Sequence, residues 1–301
     1  MERAINAQVM KPKNIDKPFR ITDGAKFRLK DFDPSETLGL KSKGHAQKIL
    51  ERGILRLAEM QEKLFAQDRW AVLIILQAMD AAGKDSTIKH VMSGVNPLGC
   101  QVTSFKKPSD EDLDHDFMWR SARFLPERGK IGIFNRSYYE EVLVVRVHPE
   151  AMAREKLPET LISANLWQDR YEDINAYERY LSRNGIVILK FFLNISKEEQ
   201  KKRFLERLEK PEKNWKFSES DVLERKHWEE YMRAYEDVIR NTSTENAPWY
   251  VVPADHKWFT RVAVAEAIIS TLEQLNLSFP KVNREKRKDL KKAARALLHE
   301  K

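Results

Sequence analysis

The residues most suited to chemistry lie where an apolar strand runs into a Gly-Lys pair. Residues 70–77 (WAVLIILQ) have the length and apolarity of a buried strand, and residues 78–87 read AMDAAGKDST. A strand, a tight loop ending in Gly-Lys and a helix together point backbone N–H groups at phosphate oxygens. The order therefore predicts a phosphate-binding loop, and a plain strand–turn–helix is the alternative.

This loop is unusually acidic. In the common pattern G-x-x-x-x-G-K-[ST], Ala78 replaces the first glycine and Asp85 replaces the hydroxyl residue, while Asp80 adds a second carboxylate. Two carboxylates beside a polyanion repel it unless a divalent cation lies between them. The loop therefore predicts Mg²⁺, held by Asp80 directly or through water, and a phosphoryl-transfer enzyme that differs from a standard ATPase.

Two kinds of donor are expected to hold the phosphates. Lys84 is expected to reach the transferring phosphates with its ammonium group. Backbone amides are expected to cradle the phosphate oxygens, and they belong to Ala81, Ala82, Gly83, Lys84, Asp85 and Ser86.

A second polar cluster follows the apolar run 131–134, at the strand end where parallel sheets bind ligands. Phosphate-loop enzymes usually place an Asp there to orient Mg²⁺, but Asn135 is neutral. Arg136 can bind phosphate through a bidentate fork. A helix cap at Asn135 and an i,i+4 ion pair between Arg136 and Glu140 are the alternatives.

A third cluster lies in residues 197–240, which contain twelve Lys/Arg and twelve Asp/Glu and are divided by Pro211. This pattern predicts a mobile helical lid over the phosphate site. Arg203 and Arg207 lie one helical turn apart, so both guanidiniums could neutralise charge that develops in the transition state. An exposed helical hairpin without a catalytic part is the alternative for the segment, as is pairing with Glu199 for Arg203.

Further basic residues lie near the end of the predicted strand 100–105. Of these, Lys106 and Arg120 are candidates for binding a second phosphate group. The seven histidines have no metal-ligand spacing, and no acyl-transfer triad is recognisable. Direct in-line transfer between two bound substrates is therefore the expected mechanism.

The elements that must position these residues alternate along the chain. Apolar runs of strand length, separated by helical patterns, predict an α/β fold with a mostly parallel sheet between two helical layers, a three-layer α/β/α sandwich. The strands are predicted at 70–77, 100–105, 131–134, 186–193 and 249–252. The helices are predicted at 44–67, 84–92, 111–124, 137–146, 163–183 and 257–275.

The length of 301 residues suits a single domain, with an extended N-terminal arm at about 1–43 and a basic C-terminal helix at about 281–301. The formal charge is +8, and the last segment contributes +6 through nine Lys/Arg against three acids. A solvated tail and a patch that attracts a polyanion both fit this composition.

The cysteine content and the hydropathy of the chain indicate the cellular compartment in which the protein is expected. The single cysteine, Cys100, is predicted to be a buried thiol in a reducing compartment. No apolar run approaches the roughly 20 residues of a membrane span, and the first residues carry no apolar signal core. We therefore expect a cytoplasmic protein without a membrane partner.

Taken together, the motifs resemble the polyphosphate kinase type 2 family over most of the chain. The resemblance rests on the segments QAMDAAGKD (77–85), GIFNRS (132–137) with Tyr139 and Glu140, VVRVHP (144–149), KRF (202–204), NWKFS (214–218) and AYED (234–237). Each segment alone is weak, but their combination is specific.

The resemblance implies a thymidylate-kinase-like P-loop kinase fold with a helical lid, and a homo-oligomer. It also implies reversible, Mg²⁺-dependent transfer of the terminal phosphoryl group of inorganic polyphosphate to AMP or ADP, so that ATP is also a ligand. By position, Asp80 corresponds to the metal-binding aspartate and Lys84 to the loop lysine. Arg136 corresponds to the strand-end arginine, and Arg203 and Arg207 to the lid arginines.

Sequence variants point to a subclass. Met79, Asp85 and Asn135 are most similar to the members that phosphorylate both AMP and ADP, and Glu140 is expected to help accommodate AMP. Ser86 departs from the glycine that is frequent in relatives. The competing hypotheses are an ATP-dependent nucleotide or small-molecule kinase and a non-catalytic nucleic-acid-binding module with a degenerate loop. Asp85 argues against the first and the retained Lys84 against the second, so nucleic acid is not the expected partner.

Overall fold

The computed structural model describes residues 15–215 and 217–300. Within them the strands are β1 (Arg20–Ile21), β2 (Ala71–Gln77), β3 (Cys100–Ser104), β4 (Ile131–Asn135), β5 (Ile186–Asn194) and β6 (Trp249–Pro253). The helices are α1 (Lys43–Gln67), α2 (Lys84–Val91), α3 (Asp110–Leu113), α4 (Trp119–Ala122), α5 (Glu140–Val147), α6 (Pro149–Met152), α7 (Leu166–Arg183), α8 (Lys197–Glu209), α9 (Pro211–Asn214), α10 (Glu219–Glu224), α11 (Trp228–Thr242), α12 (Lys257–Gln274) and α13 (Arg284–Leu298).

The strands form one sheet in the order β1-β6-β5-β2-β4-β3, in which only β1 runs antiparallel to its neighbour among the described residues. All seven residues of β2 are buried because this strand lies between β5 and β4. Helices α1, α2 and α12 pack together, and so do α5, α7 and α11. The predicted α/β fold with a mostly parallel sheet between helical layers is confirmed.

A buried ion pair connects the sheet to a helical layer. Lys190 Nζ on β5 donates to Glu178 Oε2 on α7 at 2.6 Å, to Tyr139 Oη at 3.0 Å and to the Thr242 carbonyl at 2.7 Å. The hydroxyls of Tyr138 and Tyr139 both donate to Glu178 Oε1 at 2.8 Å. Because an unpaired charge would be costly at this depth, the network holds the segment after β4 in one position.

The predicted helix 111–124 is wrong, because the chain forms two short helices there, α3 and α4. Between them the Asp116 carboxylate accepts from the Met118 amide at 2.9 Å, and such local side-chain bonds compete with helical ones. The predicted helix 137–146 begins later, at Glu140. Cys100 is half-buried rather than buried, because β3 is the last strand at one edge of the sheet.

The predicted arm is packed where the structure describes it. Residues 1–14 lie outside the described residues, whereas β1 pairs with β6, and Phe19, Phe27 and Leu29 are buried in the core. At the other end α13 is exposed along its whole length, and Lys301 lies outside the described residues. None of the helices described is long and apolar enough to cross a membrane.

The predicted lid segment has two structurally different halves. Its second half, α11, buries the side chains of Trp228, Tyr231, Ala234, Tyr235, Val238, Ile239 and Thr242. This helix therefore belongs to the helical layer of the domain. For the segment from α8 to α10, a mobile lid stays a prediction. Lys216, which lies between α9 and α10, is outside the described residues.

Candidate active site

The loop between β2 and α2 contains two residues with left-handed backbone conformations. Ala81 and Gly83 have positive φ angles of 62° and 111°, and Gly83 is the N-cap of α2. The value at Gly83 lies in a region that side chains rarely adopt, which explains a glycine there. Lys84 is buried and folds back, so that its Nζ donates to the Ala78 carbonyl at 2.8 Å.

Neighbouring charges act on the pKa of Lys84 in opposite directions. Burial lowers the pKa of Lys84, and the nearby Arg136 guanidinium lowers it further. The carboxylates of Asp80, Glu140 and Asp85 act in the opposite direction. The fold therefore brings the candidate residues of the loop and of the strand end to one place.

Arg136 connects the strand end to the loop. Its φ is 65°, and its amide donates to the Leu76 carbonyl at 3.0 Å. Its Nη2 donates to Asp80 Oδ1 at 3.0 Å and its Nη1 to Glu140 Oε2 at 3.3 Å. These carboxylates raise the pKa of Arg136, Glu140 most strongly. The i,i+4 pair with Glu140 therefore exists together with a contact to the phosphate loop.

Asn135 and Arg261 contact the first turn of α2 through Asp85 and Ser86. Asn135 Nδ2 donates to Asp85 Oδ1 at 2.8 Å, and α5 begins only at Glu140. The alternative of a helix cap at Asn135 is therefore wrong. Arg261 on α12 donates to Ser86 Oγ at 2.8 Å, so Ser86 contacts a side chain that a glycine there could not reach.

Arg203 is 4 % exposed and spends all five N–H groups on protein oxygens. Its Nε donates to the Glu199 carboxylate, its Nη1 to two carbonyls of the phosphate loop and its Nη2 to two carbonyls after β6. The partner atoms are Glu199 Oε1 (2.8 Å), Ala81 O (3.1 Å), Ala82 O (2.7 Å), Ala254 O (2.6 Å) and Asp255 O (2.9 Å). In this arrangement Arg203 positions the loop. The Glu199 pair expected as an alternative is present, but on a buried side chain rather than at the surface.

Arg207 lies further along α8, next to residues that sequence reasoning missed. Its Nη1 lies 3.5 Å from Asp221 Oδ2 on α10, and burial and the Asp80 charge raise the pKa of Asp221. Gln200 donates to the Asp80 carbonyl at 2.9 Å. The i,i+3 spacing of Gln200 and Arg203 places both side chains on one face of α8, so the sequence could have indicated Gln200. Nothing in the sequence distinguishes Asp221 from the other acidic residues of this segment.

A cleft of about 490 Å³ opens beside the loop. Asp80, Arg136 and Glu140 line it, and so do Lys106 and Arg120. Arg120 is 6 % exposed and donates through Nη2 to the Lys106 carbonyl at 3.0 Å, while its buried Nε has no partner among the described residues. The two basic candidates thus share a cleft with the loop, as a second phosphate site requires.

Another cleft residue, Glu141, is strongly perturbed. Burial and the neighbouring Glu155 carboxylate raise the pKa of Glu141 to about 8, although Arg120 and Arg170 oppose the shift. One wall of the cleft therefore carries a carboxyl pair, Glu141 with Glu155, that retains a proton to higher pH than an isolated glutamate does.

The acidic groups suit a cation that arrives with its phosphates. Among the described residues no three His, Cys, Asp or Glu side chains form a ready metal cage. Mg²⁺ commonly takes one or two carboxylates together with phosphate oxygens and waters. Asp80 supplies a carboxylate at the mouth of the loop, and Asp221 lies close enough to feel its charge. These donors fit a phosphate-bound divalent cation.

Comparisons with known proteins show which family this chain is similar to. A family model described as Polyphosphate kinase 2 matches residues 40–280. An ADP-polyphosphate phosphotransferase of Rhodopseudomonas palustris is 49 % identical over 94 % of this chain and 98 % of its own. An AMP/ADP-polyphosphate phosphotransferase of Meiothermus ruber is 44 % identical over 88 % of this chain and 95 % of its own.

A solved structure agrees as well. The crystal structure of a polyphosphate kinase 2 from Arthrobacter aurescens superposes with a TM-score of 0.84 at 42 % identity, covering 91 % of this chain and 94 % of that one. Fold, phosphate loop and similarity over nearly the whole length lead to one conclusion. The chain belongs to the polyphosphate kinase 2 family.

Proposed function

We propose that this enzyme transfers the terminal phosphoryl group of inorganic polyphosphate to AMP and to ADP in a reversible reaction. The observation that carries the proposal is that Asp80 and Arg136 pair in the lining of one cleft, with Lys84 close enough for both charges to act on its ammonium group. The similarity to the Meiothermus enzyme, whose name includes both AMP and ADP, supports the choice of acceptors.

The proposed roles follow from the positions of the side chains. Amides of residues 81–86 would hold the oxygens of the transferred group, and Lys84 would move from the Ala78 carbonyl to a phosphate oxygen. Arg136 would stabilise charge on the phosphoryl group, because only two of its five N–H groups bond to Asp80 and Glu140. Transfer is in line, with the acceptor oxygen forming a bond to phosphorus as the bond to the polyphosphate leaving oxygen breaks.

We propose Mg²⁺ as the cofactor, with Asp80 as its protein ligand. When bound, the cation would neutralise phosphate charge and polarise the transferred group. Lys106 and Arg120 would bind a second phosphate group, and Arg207 would contribute from the lid. Glu140 would help to accommodate AMP.

Two broader expectations belong to the same proposal. A cytoplasmic location is supported by the lone, half-buried Cys100, whose pKa burial raises to about 11 and which is therefore a poorly reactive thiol. A homo-oligomer is proposed from the family resemblance.

The decisive assay offers Mg²⁺ and either AMP or ADP with polyphosphate or ATP as donor, and follows nucleotide species by chromatography. We expect ADP and ATP to form from polyphosphate. New nucleotides from ATP alone would favour an ATP-dependent kinase. No transfer from any donor, combined with nucleic-acid binding, would favour a non-catalytic module.

A further inference from the structure

The last helix, α13, is fully exposed but locally well specified. Every residue from 278 to 300 is exposed, and no residue of α13 is buried. Asn283 caps the helix by accepting from the Lys286 amide at 2.8 Å. Packing on the body of the domain therefore does not account for the sequence of this helix.

One face of α13 is a continuous basic stripe. Positions i, i+4, i+7, i+8 and i+11 fall on one side of a helix. Here they are Arg284, Lys288, Lys291, Lys292 and Arg295, and none of them forms an ion pair within residues 15–215 and 217–300. At 1.5 Å of rise per residue the stripe is roughly 16 Å long. It is a linear array of unneutralised cations.

The opposite face contains Leu290, Ala293, Ala294 and Leu297, and Lys286 lies among them. Helices that lie on membrane surfaces bury a large apolar face rich in Trp, Phe or Leu, whereas this face has two leucines, one lysine and no aromatic residue. A dissolved polyanion therefore fits the helix better than a lipid surface.

The stripe lies beyond the residues that the family model matches. The family model ends at residue 280, before α13 begins. Residues 281–301 carry +6 of the total formal charge of +8. Long-range attraction of a polyanion is therefore concentrated in a segment beyond the residues that the family model matches.

We propose that α13 is an accessory binding site for the distal part of a long polyphosphate chain whose end occupies the phosphate loop. This inference rests on the proposed function. The stripe would hold the chain by counterion release and so raise the local concentration of its end at the cleft. It would lower the KM for long chains without affecting kcat, and it would not affect a donor too short to span both sites.

The test neutralises the stripe in the full-length protein through the substitutions Lys288→Gln, Lys291→Gln, Lys292→Gln and Arg295→Gln. The matched control removes the same charge from the exposed, unpaired basic residues before and in α1, through Lys41→Gln, Lys43→Gln, Lys48→Gln and Arg52→Gln. In the stripe variant we expect the KM for long-chain polyphosphate to rise about tenfold at low salt. The kcat, and the KM for tripolyphosphate, should stay at wild-type values.

Two results would overturn the inference. The first is an unchanged KM for long chains in the stripe variant; if that variant also loses sedimentation with phosphatidylserine vesicles, the helix is assigned to membranes. The second is an equal rise of the KM in the control variant, which would indicate a general charge effect. If the wild-type protein uses neither long-chain polyphosphate nor tripolyphosphate, the proposed function itself fails, which is a different result from a lost chain-length effect.

Discussion

The pKa of Lys84 depends on four neighbouring charged side chains of the candidate site. In the described state it is buried and bonded to the Ala78 carbonyl, and burial lowers its pKa. A bound phosphate chain would supply the negative charge that stabilises the ammonium form. We therefore expect phosphate binding to raise the pKa of Lys84.

We expect Lys84→Met to lower kcat by at least about a hundredfold, because a preorganised cation at the transferred group is lost. Lys89→Met is the matched control, since Lys89 is an exposed lysine on the same helix. Steady-state kinetics and circular dichroism of both variants provide the measurement. Wild-type turnover by Lys84→Met would remove this residue from the proposed mechanism.

Glu141 gives a pH dependence of stability. Its pKa of about 8 in the folded protein lies above its ordinary value of 4.5, so the folded state binds more protons between these two pH values. The free energy of unfolding should therefore fall as the pH rises from about 5 to above 8. This contribution is fully present at low pH and is lost when Glu141 ionises.

Chemical denaturation across this range tests the effect. In Glu141→Gln the side chain cannot ionise, so we expect a flatter dependence of unfolding free energy on pH. Glu62→Gln, which changes an exposed glutamate on α1, should behave as the wild type does. Parallel curves for the wild type and Glu141→Gln would contradict the assignment.

At the scale of elements, Arg203 fastens α8 and the segment after β6 to the phosphate loop. Its bonds to the Ala81 and Ala82 carbonyls fix the orientation of two peptide groups of the loop. Arg207, one turn later, is more exposed and pairs with Asp221. Arg203 therefore contacts the loop after β2, whereas Arg207 contacts α10.

We expect Arg203→Lys to destabilise the protein by about 2–4 kcal/mol, because several buried carbonyls lose their donors. Hydrogen exchange of amides 81–87 should accelerate, and kcat should fall. Arg207→Lys is the comparison, and it should lower turnover without faster exchange in the loop. Equal exchange in both variants would contradict the positioning role of Arg203.

At the scale of the whole molecule, net charge should govern the encounter with polyphosphate. The chain carries +8, so association with a polyanion releases counterions and weakens as salt increases. We expect the KM for long-chain polyphosphate to rise steeply between 50 and 200 mM salt, as polyanion affinities commonly do. The KM for ADP should change much less, and kinetics at matched Mg²⁺ concentrations test this difference. A KM for polyphosphate indifferent to salt would count against electrostatic capture.

The sequence by itself determined the chemistry-bearing ends of the sheet. The apolar runs at β2 and β4 are long enough to be buried strands, and ligand residues follow each run directly. The order of residue types around Gly83 and Lys84 therefore predicted the loop between β2 and α2 as the candidate phosphate site, and Arg136 with Asn135 marked the neighbouring end of β4. These signals are local, because each depends on a few residues whose spacing sets where they emerge.

Only the tertiary structure decided which side chains satisfy one another. Arg203 and the loop carbonyls are about 120 residues apart, so no periodicity shows that its donors are taken. The charged residues of α11 made the segment look exposed in the sequence, whereas packing on neighbouring helices buries its apolar face. Asp221 joined the site because folding placed α10 near the loop. Local patterns fix backbone form, whereas long-range packing determines the partners of long, flexible polar side chains.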